Sequence, residues 1–202
     1  MKGRRRARRA ALQALYELDQ SRHELEDVVR GRLRDMHVAA GAGALAPTGR
    51  RLLESLLRDH SEEDLPRFAA AALEERYGAD PETALDVVDL IEQVRPHAAY
   101  AVAIVRGVTA DRAPIDEVIS RIAPEWPVEQ MAPIDRNVLR IALWEIGTGS
   151  SPIRVAINEA VELARAFSGE GSRRMVNGAL GAYTSGDPKL HLEPRHEGSA
   201  TT

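Results

Sequence analysis

Apolar residues in this chain recur at the three- and four-residue spacing of an α-helix wherever they cluster. In the first segment they share one side of a helical wheel: Ala7, Ala11, Ala14, Leu15 and Leu18. No sustained alternation of apolar and polar residues predicts a strand. Aromatic residues make up only 4% of the chain, and Ala and Leu dominate the apolar set, which favours helix packing over a β-sheet core. We therefore predict an all-α protein.

The positions of Pro, Gly and capping residues indicate where the helices begin and end. Asp80 and Pro81 are expected to begin a helix, because an aspartate can accept a hydrogen bond from a free helix N–H and proline suits the first turn. Ser151 is expected to cap the helix that follows Pro152. Residues 41–49, GAGALAPTG, are expected to be a flexible connector. The predicted helices are 4–19, 22–36, 97–111, 114–122, 133–147, 152–167 and 172–184, with three more helical pieces within 50–95.

The middle of the chain is acidic. Between residues 38 and 94 there are 5 Arg and 12 acidic residues, a net charge of -7. Two apolar stripes are expected to be buried within it, one of leucines and one of mixed residues: Leu52, Leu53, Leu56, Leu57, and Phe68, Ala72, Leu73, Tyr77. The charge itself is typical of a solvated helical surface. By contrast, residues 185–202 are rich in Gly, Pro, Ser and Thr and are predicted to be a disordered tail.

Composition excludes several classes of function. The chain has no cysteine, so it has neither disulfides nor a thiolate site. It has no run of about 18 apolar residues and no signal-peptide pattern, so we expect a cytoplasmic protein. Its 6 histidines are scattered, and no Walker loop or GxGxxG motif follows a strand. We expect no catalytic residue, no metal site and no cofactor, and therefore no enzyme.

Positive charge is concentrated at the N-terminus of a chain whose net charge is -4. The first acidic residue is Glu17, and six basic residues precede it: Lys2, Arg4, Arg5, Arg6, Arg8 and Arg9. On a helical wheel the arginines cover an arc of roughly 200°, so the first two turns are expected to project beyond the core into solvent. A disordered basic tail that aids solubility is the simpler alternative. However, the run continues into an amphipathic helix, and arginine suits bidentate phosphate contacts and stacking on unpaired bases. This favours a site for single-stranded RNA.

Three segments resemble the NusB family in the order in which that family has them. They are RRRARRAALQALYELD (4–19), PIDRNVLRIALWEI (133–146) and PIRVAINEAVELARAFSGEGSRRMVNGAL (152–180). The similarity covers roughly 3–36 and 97–184, which implies one NusB-like domain over 1–184 built from two small helical bundles. The acidic segment 38–95 has no counterpart in a typical member and is interpreted as a helical insertion after the second helix.

The resemblance also implies a function and a set of site residues. NusB proteins are transcription antitermination factors that bind the boxA element of nascent ribosomal RNA together with the ribosomal protein NusE, within an antitermination complex on RNA polymerase. The RNA-binding positions carry over to the first and last helices: Arg4, Arg5, Arg6, Arg8, Arg9, Gly171, Arg174 and Met175. The NusE-facing positions carry over to Tyr16 and Asp135. Met175 stands where many members have Phe, so the base-stacking contact is expected to be weaker or to be replaced by a softer sulfur contact. Gly171 stands where an acid is common, which removes a negative charge near the RNA.

Two other functions remain open at this stage. One is the RNA-binding module of a ribosomal-RNA cytosine methyltransferase, although the chain has no cysteine to serve as its nucleophile. The other is a protein-interaction module that assembles through the acidic segment and does not bind RNA. The sequence also leaves open whether the chain forms a homodimer. If residues 38–95 are an insertion, their excision is expected to leave RNA and NusE binding intact.

Overall fold

The architecture comes from a computed structural model that describes residues 2–60, 65 and 69–185. Two predictions fall on residues outside this range, namely the burial of Phe68 and the disordered tail over residues 186–202. Within it there are α-helices, a short 3-10 turn at Val128–Gln130 and no strand, so the all-α prediction is confirmed. The helices are α1 (Lys2–Gln20), α2 (Leu25–Ala44), α3 (Pro47–Asp59), α4 (Ala70–Tyr77), α5 (Pro81–Ala110), α6 (Arg112–Ile122), α7 (Pro133–Gly147), α8 (Ile153–Phe167) and α9 (Glu170–Tyr183).

The chain divides into two compact units, Met1–Val105 and Arg106–Thr202. The first unit contains α1 to α4 and most of α5, and the second contains the end of α5 and α6 to α9. None of the helices described is long and apolar enough to cross a bilayer.

Small side chains allow α1 to approach α5 closely in the first unit. Ala7 and Ala10 of α1 are buried against Ala101 of α5, with Met36 and Tyr100 packed at the edge of this cluster. Gly3 lies directly against the imidazole ring of His97, where any added Cβ would overlap the ring. The first turns of α1 are therefore packed onto the core. The prediction that they project into solvent is wrong, because alanine and glycine alternate with the arginines and supply a narrow buried stripe.

The second helix is longer than predicted. Residues 41–44, assigned to a flexible connector, form the last turn of α2. Gly41 is buried there, and a Cβ at this position would lie 2.7 Å from Leu53 Cδ2 of α3. The glycine thus lets α3 pack closely on α2, and this packing outweighs the low helix propensity of glycine.

The fifth helix begins where predicted but is also longer than expected. Asp80 Oδ1 accepts a hydrogen bond of 2.9 Å from the Thr83 backbone N–H, and Pro81 occupies the first turn. The helix then continues through Pro96, so the predicted break before residue 97 is wrong. Pro96 is exposed, which lets solvent bond the carbonyl that its missing N–H leaves unmatched. Both ends of the segment 38–95 consequently fall inside helices, the first in α2 and the second in α5.

In the second unit α7 is the most buried helix. Val138, Leu139, Ala142 and Leu143 are fully covered by its neighbours α6, α8 and α9. The bounds predicted for α7, 133–147, are those observed. The cap predicted for α8 is not: Pro152 is the N-cap residue and Ser151 precedes it, buried. Proline at the cap already fixes the backbone angle that leads into the helix.

Candidate nucleic-acid interface

The basic residues of α1 do not share one environment. Arg4, Arg5, Arg6 and Arg9 have exposed side chains along the first three turns. Arg8 is only 3% exposed. Its guanidinium carbon lies 5.8 Å from the centroid of the Tyr100 ring, and that of Arg4 lies 4.6 Å from the same centroid. Both distances are within the range of a cation–π contact. Four of the five predicted arginines are therefore displayed to solvent, and Arg8 is part of the packing of α1 on α5.

A cleft runs beside the exposed arginines within the first unit. It has a volume of about 500 Å³ and lies among α1, α2 and α5. Arg6 and Arg9 line it from α1, and Arg32 lines it from α2. Its apolar surface comes from small and medium side chains, namely Ala10, Met36, Ala39, Ala40 and Val94. The cleft thus combines guanidinium groups with an apolar floor, a pairing that suits a phosphate with its attached base.

Of the three cleft arginines, Arg32 is tied to carboxylates. Its NH2 donates to Glu17 Oε2 at 2.5 Å, and its NH1 donates to Asp35 Oδ2 at 3.0 Å. Glu17 Oε1 also lies 2.9 Å from His23 Nδ1. The hydrogen bond from Arg32, followed by that from His23, lowers the pKa of the Glu17 carboxyl below its usual value. Arg32 is therefore held by carboxylates of α1 and α2 at the edge of the cleft.

The second unit contains a separate cavity at the start of α9. It has a volume of about 670 Å³. All three of the predicted RNA-binding residues of this helix, Gly171, Arg174 and Met175, line it. The remaining lining residues come from the segment before α7 and from the first turns of α7 and α9: Trp126, Gln130, Met131, Ala132, Asp135 and Ser172.

Asp135 belongs to this cavity and is largely covered. The residue is 8% exposed, and its Oδ2 accepts a hydrogen bond of 2.7 Å from the Ser172 hydroxyl. Its Oδ1 is buried without a hydrogen-bond partner among the described residues. The carboxylate lies in the first turn of α7, where the helix dipole favours an acid. The predicted NusE-facing residue therefore joins the first turn of α7 to that of α9.

Tyr16, the other predicted protein-facing residue, lies in the first unit. It is 41% exposed on α1, one of few large apolar side chains on the described surface with this much exposure. Tyr16 and Asp135 are thus in different units and different environments.

Two aromatic residues of these sites were missed by sequence reasoning. Tyr100 contacts the arginines of α1 from α5, and no local pattern connects positions so far apart in the chain. Trp126 lines the α9 cavity and is 54% exposed. A signal for Trp126 was present, because a tryptophan between Pro124 and Pro127 is held in a loop and cannot belong to a helical apolar stripe.

Comparison with known proteins decides the family. The model of the NusB family matches residues 70–185, more than half of the chain. A transcription antitermination protein NusB from Herpetosiphon aurantiacus is 34% identical over 181 residues, which is 88% of this chain and 86% of that protein. The chain belongs to the NusB family.

Other NusB proteins match over shorter stretches. The NusB of Desulforudis audaxviator is 52% identical over 84 residues, so the alignment spans 41% of this chain and 61% of that protein. A solved structure of T. maritima NusB is 26% identical, with an alignment that covers 73% of this chain and 94% of that chain and a TM-score of 0.42. The alignment with the Herpetosiphon protein covers part of the acidic segment, and so does that with a NusB of Dehalococcoides mccartyi, which is 33% identical over 182 residues, 90% of this chain and 89% of that protein.

Proposed function

We propose that this protein is a transcription antitermination factor that binds single-stranded boxA-type RNA through α1 and the α9 cavity, together with NusE. The names of the NusB relatives state transcription antitermination. The observation that carries the proposal for this chain is the display of Arg4, Arg5, Arg6 and Arg9 on a helix that is packed on the core. Ordered arginines lose less conformational entropy on binding phosphates than a disordered tail would.

The α9 cavity supports the same function. Arg174 is exposed at its edge, and Gly171 leaves open space where a side chain would otherwise stand. Unpaired bases are recognised in cavities with flat or polarisable walls and a nearby cation. The acidic segment does not offer such a surface, since its net charge is -7 over residues 38–94.

A salt titration of RNA binding tests the role of α1. Replacing Arg5, Arg6 and Arg9 together with Ala removes three exposed charges from the proposed site. Each lost phosphate contact should reduce the slope of log affinity against log salt concentration by about 0.7 for single strands. The measurement is filter binding of a ribosomal leader RNA carrying boxA at several salt concentrations.

The chain supplies a matched control for this variant. Arg50, Arg51 and Arg58 are exposed on α3 in the acidic segment, so their replacement with Ala changes the net charge by the same amount. The control triple should keep the wild-type slope if binding is local to α1. Equal slopes for both triples would mean that only net charge matters, and the proposed RNA site on α1 would be wrong.

The proposal includes a protein partner, NusE, contacted by Tyr16 and Asp135, within the antitermination complex on RNA polymerase. Tyr16 supports it as an exposed aromatic ring, the kind of residue enriched at interfaces. Asp135 is mostly covered, so a variant should remove its charge without changing its volume. Calorimetry with NusE in the absence of RNA should show weaker binding for Tyr16→Ala and for Asp135→Asn than for Tyr16→Phe. Wild-type affinity for Tyr16→Ala and Asp135→Asn would assign both residues to structure alone.

A further inference from the structure

Trp126 occupies an unusual position in the α9 cavity. The residue is 54% exposed, whereas Val128 and Met131 of the same segment are each 5% exposed. The segment is thus anchored to the core while its largest apolar side chain remains outside. Leaving most of a tryptophan in water forgoes the favourable burial of a large apolar surface. Such a ring in a cavity is typical of a binding residue.

The backbone around Trp126 is held in place. The Trp126 N–H donates to Ala123 O at 2.9 Å, and the Gln130 N–H donates to Pro127 O at 2.9 Å. Arg136 NH1 of α7 donates to Val128 O at 3.2 Å, which ties the 3-10 turn to the helix. Prolines at 124 and 127 further restrict the chain on both sides. The ring is therefore presented from a restrained loop, so little entropy is lost when a ligand stacks on it.

The rest of the cavity wall indicates what the ligand is. Arg174 supplies a guanidinium group, Gln130 an amide and Met175 a polarisable thioether. A Cβ at Gly171 would meet nothing within 4 Å, so the wall is open at that point. An aromatic face, a cation and an amide around a cavity of about 670 Å³ suit a flat heterocycle joined to a phosphate.

We propose that Trp126 stacks on an unpaired base of the bound RNA, with Arg174 on the adjacent phosphate. This inference rests on the proposed RNA-binding function and adds to it the residue that provides the aromatic contact. Met175 has no aromatic face with which to provide that contact, and Trp126 lines the same cavity. Glu125 and Glu129 are exposed close to Trp126 in the chain, so the phosphate is expected at Arg174 and not beside the ring. The other two carboxylates nearby are bonded within the protein. Asp135 is mostly covered and bonded to Ser172, and Glu170 is paired with Arg173 at 2.6 Å.

Tryptophan fluorescence gives a direct readout, because the chain contains only two tryptophans, Trp126 and Trp144. In a Trp144→Phe background the emission comes from Trp126 alone. Titration with the boxA-containing leader RNA should quench this emission in step with binding. Binding without any change in emission would overturn the proposal.

Affinity measurements on single variants do not depend on that background. Trp126→Ala should weaken binding of the same RNA by about tenfold or more, and Trp126→Phe should restore most of the loss. Ile153→Ala is the control, since Ile153 is a comparably exposed apolar residue of the same unit, at the start of α8. It should leave RNA affinity unchanged. Equal losses for Trp126→Ala and Ile153→Ala would overturn the proposal.

An abasic scan identifies the stacked base and separates the alternatives. Each nucleotide of the RNA is replaced in turn by an abasic one, and affinity is measured with wild type and with Trp126→Ala. One position should cost much less in the variant than in wild type, because both changes remove the same contact. Strict additivity at every position would contradict stacking. If Trp126→Ala instead weakens NusE binding and leaves RNA affinity unchanged, the cavity is a protein interface and the proposal is wrong.

Failure of this inference can be told apart from failure of the proposed function. If wild type binds RNA with the salt slope assigned to α1 but Trp126→Ala has no effect, only the stacking role is lost. If wild type binds no RNA at any salt concentration, both are overturned.

Discussion

Arg8 shows how far a single side chain can depart from the expectation set by its charge. It sits within a run of arginines that the sequence assigned to solvent, yet it is almost completely covered and lies over Tyr100. A buried arginine is tolerated where its stem packs on apolar atoms and its guanidinium lies on an aromatic face. The positions of Arg4 to Arg9 on a helical wheel were predictable from sequence. The partner Tyr100 was not, because it is placed by the packing of α5 on α1.

This difference predicts opposite effects for two neighbouring arginines. Arg8→Ala should lower the free energy of unfolding by about 1–3 kcal/mol, since it removes buried packing and a cation–π contact. Arg6→Ala, at an exposed position, should change it by less than about 0.5 kcal/mol and should weaken RNA binding instead. Urea denaturation and RNA titration of both variants measure these effects. Equal stabilities for the two variants would show that the contact with Tyr100 contributes nothing to folding.

Glu17 makes the stability of the first unit depend on pH. The pKa of the Glu17 carboxyl is lowered in the folded state, chiefly by the hydrogen bond from Arg32. The contribution of Glu17 to the free energy of unfolding is therefore present in full above the ordinary pKa of 4.5. The contribution is lost as the pH falls through the lower, folded-state pKa. Glu17→Gln should therefore reduce the melting temperature at pH 7, and this effect should shrink as the pH falls below 4.5.

Removal of the Arg32 partner checks the cause of this dependence. In an Arg32→Met background the Glu17→Gln change should cost less at pH 7 than it does in wild type, because the main hydrogen bond is already gone. An unchanged cost would assign the pH dependence of Glu17 to His23.

At the scale of helices, the distance to the neighbouring helix determines at which glycines a larger residue would lower stability. Gly107 lies near the end of α5 against the indole ring of Trp144 in α7, where an added Cβ would overlap the ring. Gly31 lies in the middle of α2 with nothing within 4 Å of such an atom. Helix propensity is the same at both positions, so packing alone should separate them.

The two glycines are accordingly expected to respond in opposite directions to the same substitution. Gly31→Ala should raise the free energy of unfolding by about 0.5–1 kcal/mol, because alanine is the better helix former. Gly107→Ala should lower it, since either the ring or the helix must shift. Thermal unfolding of the two variants provides the comparison. Stabilisation by both would show that Trp144 moves aside without cost.

Helix α7 is joined to α6 by a buried ion pair as well as by apolar packing. Arg140 donates from Nε and NH2 to the two carboxylate oxygens of Asp116, both at 2.7 Å, and from NH1 to Asn137 Oδ1 at 3.0 Å. The Arg140 side chain is 4% exposed. Bidentate geometry of this kind leaves a costly unpaired charge when one partner is removed.

We expect Asp116→Asn to lower the free energy of unfolding by roughly 2–4 kcal/mol, because it leaves the Arg140 guanidinium buried without its counter-ion. Glu117→Gln is the control on the same helix. Its contact with Arg121 is 3.8 Å long and exposed, so the change should be within about 0.5 kcal/mol. Chemical denaturation of both variants gives the comparison, and similar losses would contradict the importance of burial.

Helix positions could be predicted well where apolar spacing and proline agree, as in α7 and α8. They could not be predicted where tertiary packing decides. The end of α2 looked like a linker because of its glycines, and only the leucines of α3 explain why it stays helical. Similarly, Gly171, Arg174 and Met175 were found through family resemblance, whereas Trp126 joins them only through the fold.

For the whole molecule, the acidic segment belongs to the first unit and contributes leucines to its core. Leu52, Leu53, Leu56 and Leu57 of α3 are buried, and Leu73 of α4 is fully covered. The bounds 38 and 95 would cut α2 and α5 within their lengths. A deletion designed on the structure should leave both helices whole.

Replacement of residues 47–79 with a Gly/Ser linker meets this requirement, because it removes only α3, α4 and their loops. RNA binding should be retained, since α1 and its contacts with α5 remain. The melting temperature should fall, because the buried leucines of α3 and α4 are removed from the core. RNA titration, calorimetry with NusE and light scattering test these expectations. A folded product that no longer binds RNA would place part of the RNA site on α3 or α4.

The close contact between Gly3 and His97 has a consequence for how the N-terminal run can vary under selection. Positions 3, 7 and 10 face α5 and accept only small residues, and Arg8 is buried beside them over Tyr100. Arg5, Arg6 and Arg9 are exposed on other sides of the helix. A tract that looks like a repetitive basic sequence is therefore two interleaved sets of positions with unrelated tolerances. In a library that randomises residues 3–10, most survivors of a folding screen should keep Gly or Ala at the first set. Arg8 should also be retained for folding, whereas Arg5, Arg6 and Arg9 should be enriched only when growth depends on the bound nucleic acid.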